Sequence, residues 1–178
     1  MTEAELLALM QRRVASTAVG PSAIRNMLPK GSIQPLRNYL ARFDLAKLSK
    51  VSDAEFAQYL DKQTELFSEA LKPSMPWGVA RKCLNIFLRD AAYNFRLREH
   101  FKLQRIEPLL ELPLDSHVAG SLHTLEAEGA TLAAFKSVVG LDSKVNAAYQ
   151  AVAAKVAARK GICRVHLDLE YWRRPKSD

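Results

Sequence analysis

The amino-acid sequence predicts an all-α fold: a compact multi-helix domain spanning residues 1–178, either one unit or two small lobes sharing a core. Three observations lead there. Apolar residues recur at three- and four-residue intervals along most of the chain, capping residues and Pro- or Gly-containing stops bracket those runs, and no alternation of apolar with polar residues occurs before the last dozen positions. A chain of this length buries enough apolar surface to fold without staples.

Taken in order, short helices are expected at 3–16 and 33–43, separated by the GPS and LPKGS turns. The stretch VSDAEFAQYLDKQTELFSEALK opens with a Ser52-to-Glu55 capping box, carries Phe56, Tyr59, Leu60, Phe67 and Leu71 at helical spacing, and stops before Pro73. The next helix, from about Val79 to Arg98, spreads Val79, Cys83, Leu84, Phe87, Leu88 and Phe95 around more than half its circumference, so it runs through the core. Its polar arc is narrow: Lys82, Arg89 and Arg96 lie seven apart on it, beside Arg81 and Asn85. Asp90 and Asn94 fall among the apolar positions, where a satisfied polar pair would tie helices together. Shorter helices follow at 104–111, 116–127 and 131–138. In LDSKVNAAYQAVAAKVAARKG, Asp142 or Ser143 is the cap, Val145, Tyr149, Val152 and Val156 share a face, and Gly161 terminates the helix after basic residues. The ending RVHLDLEYWRR reads as a helix. An edge strand is its alternative, since Val165, Leu167, Leu169 and Tyr171 alternate with polar residues.

Composition narrows the classes of function. With 48% hydrophobic and 25% charged residues and no apolar run of membrane-spanning length, the chain reads as soluble and globular. The start MTEAELLALMQRR places acids before its first basic residues and lacks a cleavage site, unlike a secretory signal. Two cysteines, Cys83 and Cys163, exclude a four-cysteine zinc or iron–sulfur site, and no metal or cofactor is expected. The expected setting is reducing and cytoplasmic, and the expected state is a monomer. A net charge of +7 favours a polyanionic partner, because Lys and Arg release condensed counterions when they meet phosphates.

Two short stretches raise the question of chemistry. WGVARKCLN, residues 77–85, keeps Lys82 on the one polar arc of a helix that is otherwise apolar. ELPLDSHVAGSL, residues 111–122, sets Asp115 in a Pro-containing turn just before a helix, where backbone N–H groups and the positive helix end keep a carboxylate ionised. Taken singly, the arc is a solvated basic stripe and Asp115 an N-cap. Together, GVARKCLN resembles the second-helix entry of the helix-hairpin-helix DNA glycosylase superfamily, which presents a lysine nucleophile, and LPLDSHV resembles the segment that presents that superfamily's aspartate. The order along the chain agrees. KPSMPWGVA stands where the superfamily has a Leu-Pro-Gly hairpin, and Asp115 follows Lys82 by 33 positions. That spacing, the divergent hairpin and the missing iron–sulfur cysteines look more like the archaeal 8-oxoguanine glycosylase branch.

The resemblance implies a DNA-facing cleft, double-stranded DNA as partner, and a nucleoid-associated base-excision enzyme with glycosylase and abasic lyase activity. Lys82 and Asp115 would act on the sugar. Asp168 and Trp172, four residues apart in the closing helix, would line a base pocket together with Trp77, and Gly78, Arg81, Arg89 and His117 would face DNA. Tyr93 and Phe87 are further aromatic candidates, each also at home in a core. The runs RKGICR and RRPK would touch phosphates. The base best supported by the resemblance is 8-oxoguanine; a foreign modified cytosine or an alkylated base is the alternative. Two further readings stay open: a noncatalytic helical DNA-binding module and a helical protein-interaction domain. His117, His100, His123 and His166 are scattered without ligand spacing, and Cys83 points to the apolar side as a buried thiol.

Overall fold

The computed structural model describes residues 1–24, 26–126 and 132–171, and among these it is all-helical, with no strand. Its α-helices are α1 (Glu3–Ala18), α2 (Ile33–Leu40), α3 (Leu45–Leu48), α4 (Phe56–Ser68), α5 (Trp77–Tyr93), α6 (Phe95–Phe101), α7 (Ser116–Glu126), α8 (Ser143–Lys160) and α9 (Leu167–Tyr171). Single 3₁₀ turns cover Leu103–Arg105, Glu107–Leu109 and Arg164–His166.

Local chemistry accounts for most of these boundaries. Thr2 Oγ1 accepts from Glu5 N while Glu5 Oε2 accepts from Thr2 N, a reciprocal box that starts α1. Asp142, and not Ser143, caps α8 by accepting from Val145 N at 2.8 Å, and Gly161 ends it in the left-handed region at φ 67°. The Ser52-to-Glu55 box does not form. Ser52 Oγ bonds the Glu55 carboxylate itself, and α4 begins one residue later without a side-chain cap.

Three further expectations are corrected. The long helix expected to Arg98 breaks at Asn94, whose backbone turns extended and whose Oδ1 accepts from Leu97 N at 3.1 Å to start α6. A short amide that bonds nearby backbone N–H groups suits a cap better than a helix interior. The helix expected at 104–111 resolves into two 3₁₀ turns and an extended stretch, because Pro108 lacks the N–H a continuous helix requires. Residues 132–137, expected within a helix at 131–138, are irregular. Leu132 packs into one hydrophobic cluster, Val138 into another and Phe135 against both, a bridge that a single helix face would not make. The closing segment is helical and not an edge strand, with Leu167, Asp168 and Tyr171 buried on α9.

Those two clusters organise the molecule. The first joins α1 to α6, with α5 packed between α1 and α4. The second joins α7, α8 and α9 with Leu112 and Leu114. Residues 110–115, outside any helix, contribute Leu110 to the first cluster and Leu112 and Leu114 to the second. Helix α5 has twelve buried residues, among them Gly78, Arg81, Lys82 and Asn85. Gly78 meets the irregular bridge so closely that an added Cβ would lie 2.2 Å from Val138 O and 2.6 Å from Leu141 Cβ. Both contacts are fixed by backbone, so Gly78→Ala is expected to destabilise by about 1–3 kcal/mol, read as a lower melting temperature. An unchanged melting temperature would show that the bridge yields freely.

Candidate active site

Helix α5 carries the candidate side chains Lys82 and Arg89 two turns apart. Lys82 is only 8% exposed, and its Nζ lies 3.7 Å from Asp115 Oδ2. Asp115 sits at the start of α7, and its Oδ1 accepts from His117 N and Val118 N, each at 3.0 Å. Those bonds fix the carboxylate and leave Oδ2 turned to the lysine. The sequence folds this way because Pro113 keeps the approach extended while the α7 N–H groups need an acceptor. Cys83, the next residue, is fully buried, and burial pushes its thiol up to about 12 against the opposing charge of Lys82. A thiol so raised and so enclosed is a poor nucleophile.

Two turns further on, Arg89 pairs with Asp90 at 2.8 Å and with Asp168 on α9. Burial pushes the Asp168 carboxyl up from its ordinary range; Arg89 opposes the rise, and the charges of Asp115 and Asp90 reinforce it. Lys82 and Asp115 form one pair, and Arg89 with Asp90 and Asp168 forms a second group, close enough for the Asp115 charge to act on Asp168. A carboxylate that is costly to ionise is held here by an arginine from another helix.

Other candidates are placed elsewhere. Arg81 is 2% exposed and does not face a ligand: its Nε and Nη2 donate to Glu111 at 2.8 and 2.9 Å, and its Nη1 donates to Thr64 Oγ1. Gly78 is buried and packs against Val138 and Leu141. Trp77 is half-buried against the second cluster with the Arg81 guanidinium 5.1 Å from its ring centre, so one face is already covered. Phe87 is fully buried, edge-on to Phe43. His117 is exposed in the first turn of α7. Tyr93 is half-exposed and stacked on His166, with Oη 2.7 Å from Nδ1; burial pushes its phenol up to about 12. Trp172 and the RRPK run lie outside the described residues. In RKGICR, Lys160 pairs with Glu170 and Arg164 donates to Leu109 O and Leu110 O, so two of its three cations are committed within the protein.

Sequence reasoning missed Glu111. The signal was one acid inside the apolar run LLELPL, and the structure buries it to 7% exposure. Burial alone would push its carboxyl up, but the Arg81 fork, together with Asn146 and Arg164, holds it below the ordinary carboxylate range. A groove of about 380 Å³ lies between α4 and α8, walled by Phe56, Leu60, Ala154, Ala158 and Arg164; Lys82, Asp115 and Asp168 do not line it. Among the described residues no group of three or more His, Cys, Asp or Glu side chains could hold a metal ion, and no helix is long and apolar enough to cross a membrane. No family model, curated protein or solved structure matches the chain.

Proposed function

We propose that the chain is a DNA base-excision enzyme, an N-glycosylase with abasic lyase activity, acting as a monomer on double-stranded DNA. The observation that supports this best is a lysine buried to 8% exposure whose Nζ stands 3.7 Å from a carboxylate oxygen fixed by a helix start. Buried lysines are uncommon, and one set beside a fixed carboxylate suits an amine nucleophile. The helix-hairpin-helix resemblance of GVARKCLN and LPLDSHV assigns the same two residues, with the connection between α4 and α5 as a divergent hairpin.

The chemistry follows from those groups. As the glycosidic C–N bond lengthens, its electron pair leaves with the base, which gains a proton, and positive charge develops on the sugar beside Asp115. The Lys82 amine adds to the anomeric carbon through its nitrogen lone pair. The adduct loses an N–H proton, the ring C–O bond opens with protonation of its oxygen, and an imine results. Loss of a C2′ proton then expels the 3′ phosphate with the C3′–O electron pair, and water hydrolyses the imine to regenerate the lysine. The base must first leave the stack, where Asp168 can accept from ring N–H and exocyclic amine groups while Arg89 remains paired with Asp90.

A panel of lesion-bearing duplexes scored for base release tests this reading, with 8-oxoguanine expected to lead; no release from any lesion, alkylated base or modified cytosine overturns it. Within the panel, Asp168→Ala is expected to impair base release much more than strand cleavage at a preformed abasic site, which requires no base recognition. An unchanged ratio of the two rates removes Asp168 from the pocket; the same comparison applies to Trp172→Ala. Binding to undamaged duplex is expected to weaken steeply between about 50 and 200 mM salt, in keeping with the +7 net charge. A flat response would favour a protein-interaction domain.

A further inference from the structure

We infer that Glu111, gripped by the Arg81 fork, is the positioning residue that sets Asp115 against Lys82. The inference rests on the reading of Lys82 and Asp115 as the reacting pair. It begins with an irregular stretch that ought to be loose. Residues 109–112 have no strand partner, yet their polar groups are held by side chains from elsewhere. Arg164 donates to Leu109 O at 2.8 Å and Leu110 O at 2.9 Å. Gln150 on α8 both accepts from Leu112 N at 3.0 Å and donates to Leu112 O at 2.7 Å, as a neighbouring strand would.

At the centre of this stretch the Glu111 carboxylate accepts from Arg81 twice, from Asn85 at 3.1 Å and from Asn146 at 3.1 Å. Arg81 in turn reaches α4 through Thr64 and Asp61, at 2.8 and 2.9 Å. One carboxylate thus joins α4, α5 and α8. Its seat is adjacent to the reacting pair in sequence on both sides: Arg81 precedes Lys82 on α5, and Glu111 precedes Asp115 by four residues with Pro113 stiffening the span. Asn85 shows the same priority. Its Nδ2 serves Glu111, and its buried Oδ1 has no hydrogen-bond partner among the described residues.

Fold stability is a weak reason for such a hub. Desolvation offsets most of the attraction in a buried ion pair, and apolar replacements of similar volume are often tolerated without loss of stability. Registry is a better reason, because displacement of a reacting group by about 1 Å can slow a reaction by about 10²-fold.

The test is the double variant Arg81→Met/Glu111→Leu in the full-length protein, with circular dichroism to establish folding. The expected result is a folded variant that binds an abasic duplex within about threefold of wild type, while single-turnover base release falls about 10–100-fold. Trace acetylation with acetic anhydride, in the absence of DNA, is expected to label Lys82 faster relative to the exposed Lys30, because the amine leaves its seat. A folded variant with wild-type release and wild-type Lys82 labelling overturns the inference. If the double variant does not fold, Glu111→Gln, which keeps the shape and removes the charge, decides by the same two readouts. Should wild type release no base at all, the functional reading fails by itself, and the labelling ratio still decides whether Glu111 positions Lys82.

Discussion

Borohydride is expected to trap a covalent protein–DNA adduct on duplexes containing an abasic site, and Lys82→Ala to abolish it. The trapped species is the reduced imine, a stable secondary amine, which forms only from a primary amine close enough to attack the sugar. Lys82 meets the requirement with its Nζ beside Asp115 and its stem buried along α5. Exposed lysines lack a fixed approach to the anomeric carbon and contribute only background. The substitution does not threaten the fold through an orphaned charge, because the Asp115 side chain is 39% exposed and its Oδ1 stays bonded to His117 N and Val118 N. Lys82→Gln, which keeps the length of the side chain without the amine, is expected to behave like Lys82→Ala. Equal trapping by either variant would remove Lys82 from the mechanism and leave the pair as a tie between α5 and α7.

The structure also shows what a sequence can carry. Helix α8 was legible from Asp142 to Gly161 because cap, apolar face and terminator are all local, and the burial of α5 was legible because apolar residues cover most of its wheel. The same wheel could not separate the members of the polar arc. Arg81 and Lys82 are neighbours on it, yet Arg81 faces a carboxylate 30 residues away while Lys82 faces Asp115, and nothing local distinguishes the two. The break at Asn94 was hidden for a related reason: a residue that both ends one helix and caps the next leaves the apolar spacing continuous through Phe95 and Leu97. Residues 110–111 and 132–137 were misread as helix because their backbones take shape from remote groups, Arg164 at Leu110 O and Arg81 at the Glu111 carboxylate for the first and the two hydrophobic clusters for the second. The candidate pair was legible as two residues, and its seat was not, since Glu111 meets its partners only in the folded chain.

Asp115→Asn is expected to slow base release by about 10²–10³-fold while leaving the fold in place. The geometry separates the two tasks of this side chain. Oδ1 caps α7, and an asparagine carbonyl accepts the same N–H bonds, so helicity and melting temperature should stay close to those of wild type. Oδ2 faces Lys82, and there the substitution replaces a carboxylate oxygen by an uncharged amide beside the position where, in the proposed mechanism, the sugar becomes positive. The loss therefore falls on the transition state and not on DNA affinity, which should change little because Asp115 is not a cation meeting phosphate. Cleavage at a preformed abasic site should suffer less than base release, since glycosidic bond breaking has already occurred there. Release within about twofold of wild type, from a variant that is folded by circular dichroism, would show that the carboxylate serves only as a cap.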